Sequence, residues 1–140
     1  MIKFNTEKPL YVQIVDLVQS RIIAGFYPPE SKLPSVRDLA MELGVNPNTV
    51  QRAFVTLEQE AFVRCERTAG RFVTGDIGFI AAAREALVYQ KAQDFISNVR
   101  HYGCSAEEIV RVVRQCIDHH VDQYGNPHMD QYSEGVGETI

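Results

Sequence analysis

Cysteine is scarce: Cys65, Cys104 and Cys116 are three in 140 residues, an odd count at wide spacing. That excludes a closed disulfide framework and leaves reduced, packing thiols as the default. No apolar run approaches the length of a membrane span, and Lys3, Glu7 and Lys8 interrupt the N-terminal stretch where the apolar part of a secretory signal would lie. A cytoplasmic chain without membrane contact is expected. Internal repeats, a glycine-rich phosphate loop and a nucleophile elbow are all missing. The adjacent Glu107 and Glu108 fall in a predicted first helical turn, where they serve the helix dipole and form no acid–base pair. Neither an enzyme nor a bound cofactor is expected. Net positive charge is lacking as well, the formal value being −4. Its distribution is uneven: residues 1–76 hold 9 basic and 9 acidic side chains, and residues 77–140 hold 5 and 9, so the whole deficit lies in the C-terminal part. At 140 residues and 45% hydrophobic content, the chain can bury one compact core plus an appendage.

What is present is concentrated between Leu33 and Val73. In Leu33-Pro34-Ser35-Val36-Arg37-Asp38-Leu39-Ala40, Ser35 and Asp38 have capping-box spacing, three residues apart at the start of a helix. Gly44 ends that helix, Asn46 can cap the next, and Pro47 suits its first position, where a missing N–H costs nothing. Two helices joined by a short turn are therefore predicted, as in a helix-turn-helix. The second carries Val50, Ala53, Phe54 and Leu57 as a buried stripe, and Asn48, Thr49, Gln51, Arg52 and Thr56 opposite. Amides and guanidinium groups on that face suit base edges, adenine N6/N7 in particular, and phosphates. The competing reading is an ordinary solvated face, against which the following segment weighs. Phe62 to Glu66 and Arg71 to Thr74 are rich in β-formers, and Arg67-Thr68-Ala69-Gly70 supplies a turn between them. Arg64, Arg67 and Arg71 would make this hairpin a basic wing within reach of phosphates or a minor groove, unless Arg64 pairs with Glu66 or Glu60.

Pro9-Leu10-Tyr11, the Leu33–Ala40 string, Leu43-Gly44-Val45-Asn46-Pro47-Asn48-Thr49-Val50-Gln51-Arg52-Ala53 and Gly70-Arg71-Phe72-Val73 together resemble the GntR-type winged helix-turn-helix repressors, from Pro9 to about Thr74. The resemblance implies DNA contacts by Arg37 at the start of the second helix, and by Asn46, Asn48, Thr49 and Gln51 on the third. It also implies contacts by the wing turn from Arg67 to Gly70, with Thr68; Ser35, Arg52 and Arg71 are further candidate DNA contacts. Pro47 and Gln51 stand where many members carry arginine, so their operator preference is not carried over. Glu30 and Thr68 stand where glycine is frequent. The run Asn46-Pro47-Asn48-Thr49-Val50-Gln51 resembles the short-tailed YtrA-like subgroup, which implies a two-helix dimerising tail and repression of nearby transporter genes.

The remaining periodicity fits that outline. A first helix is expected from about Pro9 to Ala24, with Leu10, Ile14, Leu17, Val18, Arg21 and Ile22 on one side and Gly25 as its stop. A long helical segment from about Ile77 to Tyr102 carries Ile80, Ala83, Leu87, Val88, Ala92, Phe95, Ile96 and Val99. Gly103 breaks it, and Ser105 with Glu108 caps a helix holding Ile109, Val112, Val113, Cys116, Ile117, His120, Val121 and Tyr124, stopped by Gly125 and Pro127. Two such helices cannot bury both apolar faces alone. A homodimer is expected through Ile80, Leu87, Phe95, Ile109, Val113 and Ile117. His101 reads as a favourable charge at a helix C-terminus.

The reading is mainly α with one small β-hairpin: a winged helix-turn-helix over 1–76, a two-helix tail for dimerisation or an effector over 77–125, and a disordered stretch over 126–140. It predicts a homodimeric repressor of an inverted-repeat double-stranded DNA operator, with any small-molecule effector bound in a small pocket or between copies. Two alternatives stay open. Cys116, His119 and His120, at i, i+3 and i+4 with Asp122 and His128 downstream, could share a Zn²⁺ in a metal-responsive regulator, although only Cys116 and His120 fall on the apolar stripe. A winged helix can also serve as a protein-interaction module.

Overall fold

The computed structural model describes residues 2–124. It divides into two compact units, Met1–Ala81 and a second beginning at Ala82.

The first unit is built on three helices, α1 (Leu10–Ile23), α2 (Val36–Leu43) and α3 (Pro47–Gln59). Gln13 organises the approach to α1: its Oε1 accepts from the Asn5 N–H at 2.9 Å, and its Nε2 donates to the carbonyls of Asn5 and Lys8, both at 2.8 Å. The two caps expected for α2 and α3 form. Ser35 Oγ accepts from the Asp38 N–H at 3.1 Å, and Asn46 Oδ1 accepts from the Asn48 N–H at 2.8 Å with Pro47 at the first helical position. Each satisfies an amide that the helix itself leaves without a partner. Gly44 closes α2 at φ +67, a left-handed conformation that a Cβ disfavours.

Apolar faces of the three helices meet in one core. Ile14, Val18, Ile22, Leu39, Val50, Ala53, Phe54 and Leu57 are buried, so the expected α3 stripe is the centre of the unit. Leu17, placed on the α1 stripe by spacing, is only half-buried and lines a surface groove with Ile2 and Phe4; Val15 and Ile23 are buried instead. At the C-terminal end of α1, Arg21 donates to Tyr27 Oη at 2.7 Å and pairs with Glu42 of α2 at 2.8 Å.

The hairpin follows α3. β1 (Val63–Glu66) pairs antiparallel with β2 (Gly70–Val73) in the register Val63↔Val73, Arg64↔Phe72, Cys65↔Arg71 and Glu66↔Gly70. Val63 and Val73 are buried and fix which face turns inward. A bridge between Lys32 and Phe72 adds a third short segment, held by Leu33 N–H to Arg71 O at 2.8 Å and Val73 N–H to Ser31 O at 2.9 Å. Glu30, in the loop leading there, has φ +66, a value that favours the glycine frequent at this position.

α4 (Ile77–Val99) starts inside the first unit. Asp76 Oδ1 accepts from the Phe79 N–H at 3.0 Å, Phe79 meets Phe62 edge-on at 5.0 Å between centroids, and Ile80 is buried. Ile80, expected at a dimer surface, is thus covered within the single chain. The apolar period of α4 runs unbroken through Ile80, which falls within the first unit.

In the second unit α4 passes into a 3₁₀ turn, Arg100–Tyr102, ended by Gly103. Ser105 Oγ accepts from the Glu108 N–H at 3.2 Å and opens α5 (Ala106–Tyr124). None of residues 82–120 is buried. No helix among the described residues is long and apolar enough to cross a membrane. The stop expected at Gly125 and Pro127 and the stretch 126–140 lie outside the described residues.

Candidate nucleic-acid interface

The residues expected to read DNA fall into three states. Asn46, Asn48, Arg37, Arg67 and Thr68 are exposed, Thr49 is half-buried, and the side chains of Arg37, Asn48 and Arg67 have no hydrogen bond or ion pair with another described residue. They are available to a ligand. Asn48 and Thr49 sit in the first turn of α3, where the helix dipole favours an anion such as a phosphate. Ser35 is exposed too, but its oxygen already caps α2.

A second group is engaged inside the protein. Arg71, expected as a wing contact, turns back onto α3: its Nε donates to Glu58 Oε1 at 2.7 Å, its Nη2 lies 3.4 Å from Gln51 Oε1, and its guanidinium sits 5.0 Å from the Phe54 ring centroid. Arg64 is likewise neutralised, by Glu66 on its own strand and by Glu30 at 2.9 Å, while Glu60 accepts from Gln19 instead. Hydrogen bonding to Glu66 first, and then to Glu30, pushes the Arg64 guanidinium above its ordinary range. Of the two pairings left open for Arg64 from the sequence, that with Glu66 forms and that with Glu60 does not. Two of the wing's three arginines are matched by carboxylates, and Arg71 acts as a strut between β2 and α3. Arg52 is intermediate: exposed, yet with its guanidinium 3.8 Å above the Tyr11 ring centroid.

Lys32 is a cation that the sequence reading passed over. The bridge to Phe72 brings it beside the wing turn, where its Cε lies 3.1 Å from the place a Cβ on Gly70 would occupy. Its ammonium has no carboxylate partner among the described residues. Gly70, at φ +108, thus answers both to the turn and to the lysine stem across it. Ala69 N–H donates to Glu66 O at 3.2 Å, closing the tip, and Arg67 and Thr68 stand exposed on it.

On α5, Cys116, His119 and His120 are exposed. Among the described residues no group of three or more histidine, cysteine and acidic side chains is arranged to hold a metal ion, and Asp122 and His128 fall outside the described side chains.

Three comparisons agree with this geometry. The model of the family described as "Bacterial regulatory proteins, gntR family" matches residues 10–73, from α1 through β2. The chain is 30% identical to the HTH-type transcriptional regulator YhcF of Bacillus subtilis over 112 residues, 80% of this chain and 93% of that protein. It is 26% identical to the HTH-type transcriptional repressor YtrA of Bacillus subtilis over 79% of this chain and 86% of that one. Among solved structures, a GntR family transcriptional regulator from Listeria monocytogenes superposes with a TM-score of 0.75 at 36% identity, over 80% of this chain and 98% of that chain. The chain belongs to the GntR family, and is a DNA-binding transcription regulator and not an enzyme.

Proposed function

We propose that the chain is a cytoplasmic homodimeric repressor that lays α3 of each copy into the major groove of an inverted-repeat operator. The carrying observation is that the side chains of Asn48 at the start of α3 and of the cations Arg37, Lys32 and Arg67 have no polar partner among the described residues, while Arg64 and Arg71 are matched. Unmatched cations release counterions on meeting phosphate; matched ones add little. The sense of regulation follows the relative YtrA, which is named a repressor.

The dimer reading rests on the second unit. With no buried residue among 82–120, its helices have no core of their own, and Phe95, Ile117 and Val113 are 40%, 58% and 36% exposed. Exposed apolar side chains recurring on both helices call for a partner surface. A second copy covers them, through Leu87, Phe95, Ile109, Val113 and Ile117, and any small-molecule effector binds at that interface. Two-fold symmetry then sets the recognition helices about one turn of DNA apart.

Selection of bound fragments from a genomic duplex library at about 150 mM salt tests the operator, since affinity without stated salt carries no meaning. An inverted repeat is expected, with Arg37→Ala and Asn48→Ala each weakening its binding by about 1–3 kcal/mol. Absence of any enriched sequence would overturn the reading.

A further inference from the structure

Gln51 stands on the exposed side of α3 with one end of its amide committed. Its Oε1 lies 3.4 Å from Arg71 Nη2, and Arg71 is in turn fixed by Glu58 at 2.7 Å and by its position over the Phe54 ring. A guanidinium only donates, so the amide end facing it has to be the oxygen; turning the NH₂ inward would set donor against donor. The Nε2 group is then the end left for a ligand, and it has no partner among the described residues.

From this we infer that Arg71 is a positioning residue which turns the Gln51 amide so that its NH₂ end faces the operator, selecting guanine at that place. The inference rests on the operator reading above and deepens it. A freely rotating glutamine offers oxygen and NH₂ together and suits adenine, which presents an acceptor N7 beside a donor N6 in the major groove. The oxygen keeps a second lone pair, but it is turned toward Arg71, and the end presented outward is the NH₂. That end pairs with acceptors, and guanine alone presents two side by side, N7 and O6. This revises the adenine preference expected from the amides of α3, at position 51 alone. Asn48, with no such partner, keeps both ends of its amide.

The test is the duplex selection repeated with the full-length protein, with Gln51→Ala and with Arg71→Lys. Gln51→Ala identifies the operator position it reads as the one whose preference it flattens, by roughly tenfold for a good base contact. That position is expected to be guanine in the parent protein. Arg71→Lys keeps the charge beside Glu58 but gives up the fork that reaches Gln51 as well. It is expected to admit adenine at this one position while the rest of the motif stands, a change that loss of wing packing alone would not produce. An adenine at the Gln51-dependent position, or no Gln51-dependent position, overturns the inference and leaves the operator reading intact. Recovery of no motif overturns both.

Discussion

Arg52 lies over the ring of Tyr11, 3.8 Å from its centroid, so the exposed side of α3 is tied to the first turn of α1. The residue serves the fold before it serves any ligand. Arg52→Ala is expected to lower stability by about 0.5–1 kcal/mol, the worth of an exposed cation–π contact. It should weaken operator binding less than Arg37→Ala does. Denaturant midpoints and fluorescence anisotropy at one salt concentration check both; an affinity loss equal to that of Arg37→Ala would show that Arg52 leaves Tyr11 for DNA.

Partnering decides which wing cations count. Lys32→Gln and Arg67→Gln are each expected to reduce the slope of log affinity against log salt by about 1, as for the loss of a phosphate contact. Arg64→Gln, whose charge Glu30 and Glu66 already balance, should leave the slope near its parent value. A salt titration of operator binding reads all three.

The turn between α2 and α3 depends on Gly44. Nothing lies within 4 Å of the place its Cβ would occupy, so the penalty for a side chain there is conformational and not steric crowding, at φ +67. Gly44→Ala should cost about 1–2 kcal/mol. An unchanged thermal midpoint would be contrary to this account.

Ile117→Asp places a charge on the exposed apolar side of α5, where Ile117 is 58% exposed in the single chain. If a second copy covers that side, the variant should show the mass of one 15.8 kDa chain by light scattering where the parent shows two, and bind the full operator more weakly. A parent protein that is itself monomeric removes the dimer from the proposal.

Alkaline stability should report on Tyr27. Burial pushes its phenol above the ordinary value of 10.0, while the hydrogen bond and charge of Arg21 pull it back only in part. A group whose folded value is raised stabilises fully below its unfolded value and loses that contribution as pH climbs through the folded one. Denaturant midpoints should therefore hold up to about pH 10 and fall above it. Tyr27→Phe should flatten that fall.

Local chemistry made the helix-turn-helix legible from sequence. Ser35 and Asp38, Gly44, and Asn46 with Pro47 act within four residues of one another, and a string of letters displays such spacing directly. The wing was legible as a hairpin for the same reason. Its charge state was not. Arg64 finds Glu30 34 residues back, and Arg71 finds Glu58 13 residues back, pairings created by the fold. Lys32 reaches the wing only through its bridge to Phe72. The burial of Ile80 was not legible because an unbroken helical period says nothing about which side chains meet the hairpin end of the first unit; Phe79 packs there against Phe62. A carboxylate on the face of α3 turned toward the hairpin, Glu58, was the available hint that Arg71 would be claimed.

Glu30 also couples two positions 45 apart in the chain. Its carboxylate, held by Arg64, fills the space beside Gly75, so a Cβ there would meet Glu30 Oε1 at 1.7 Å. Any residue but glycine at 75 would require the Glu30 carboxylate to move from this position, leaving Glu66 as the fixed carboxylate on Arg64. The effect of a substitution at 75 is thus set by the residue at 30: free of this clash beside a glycine, and felt at Arg64 beside a glutamate. Epistasis of this kind lets the carboxylates around one wing arginine be rearranged from a loop that precedes α2 and a position that follows β2.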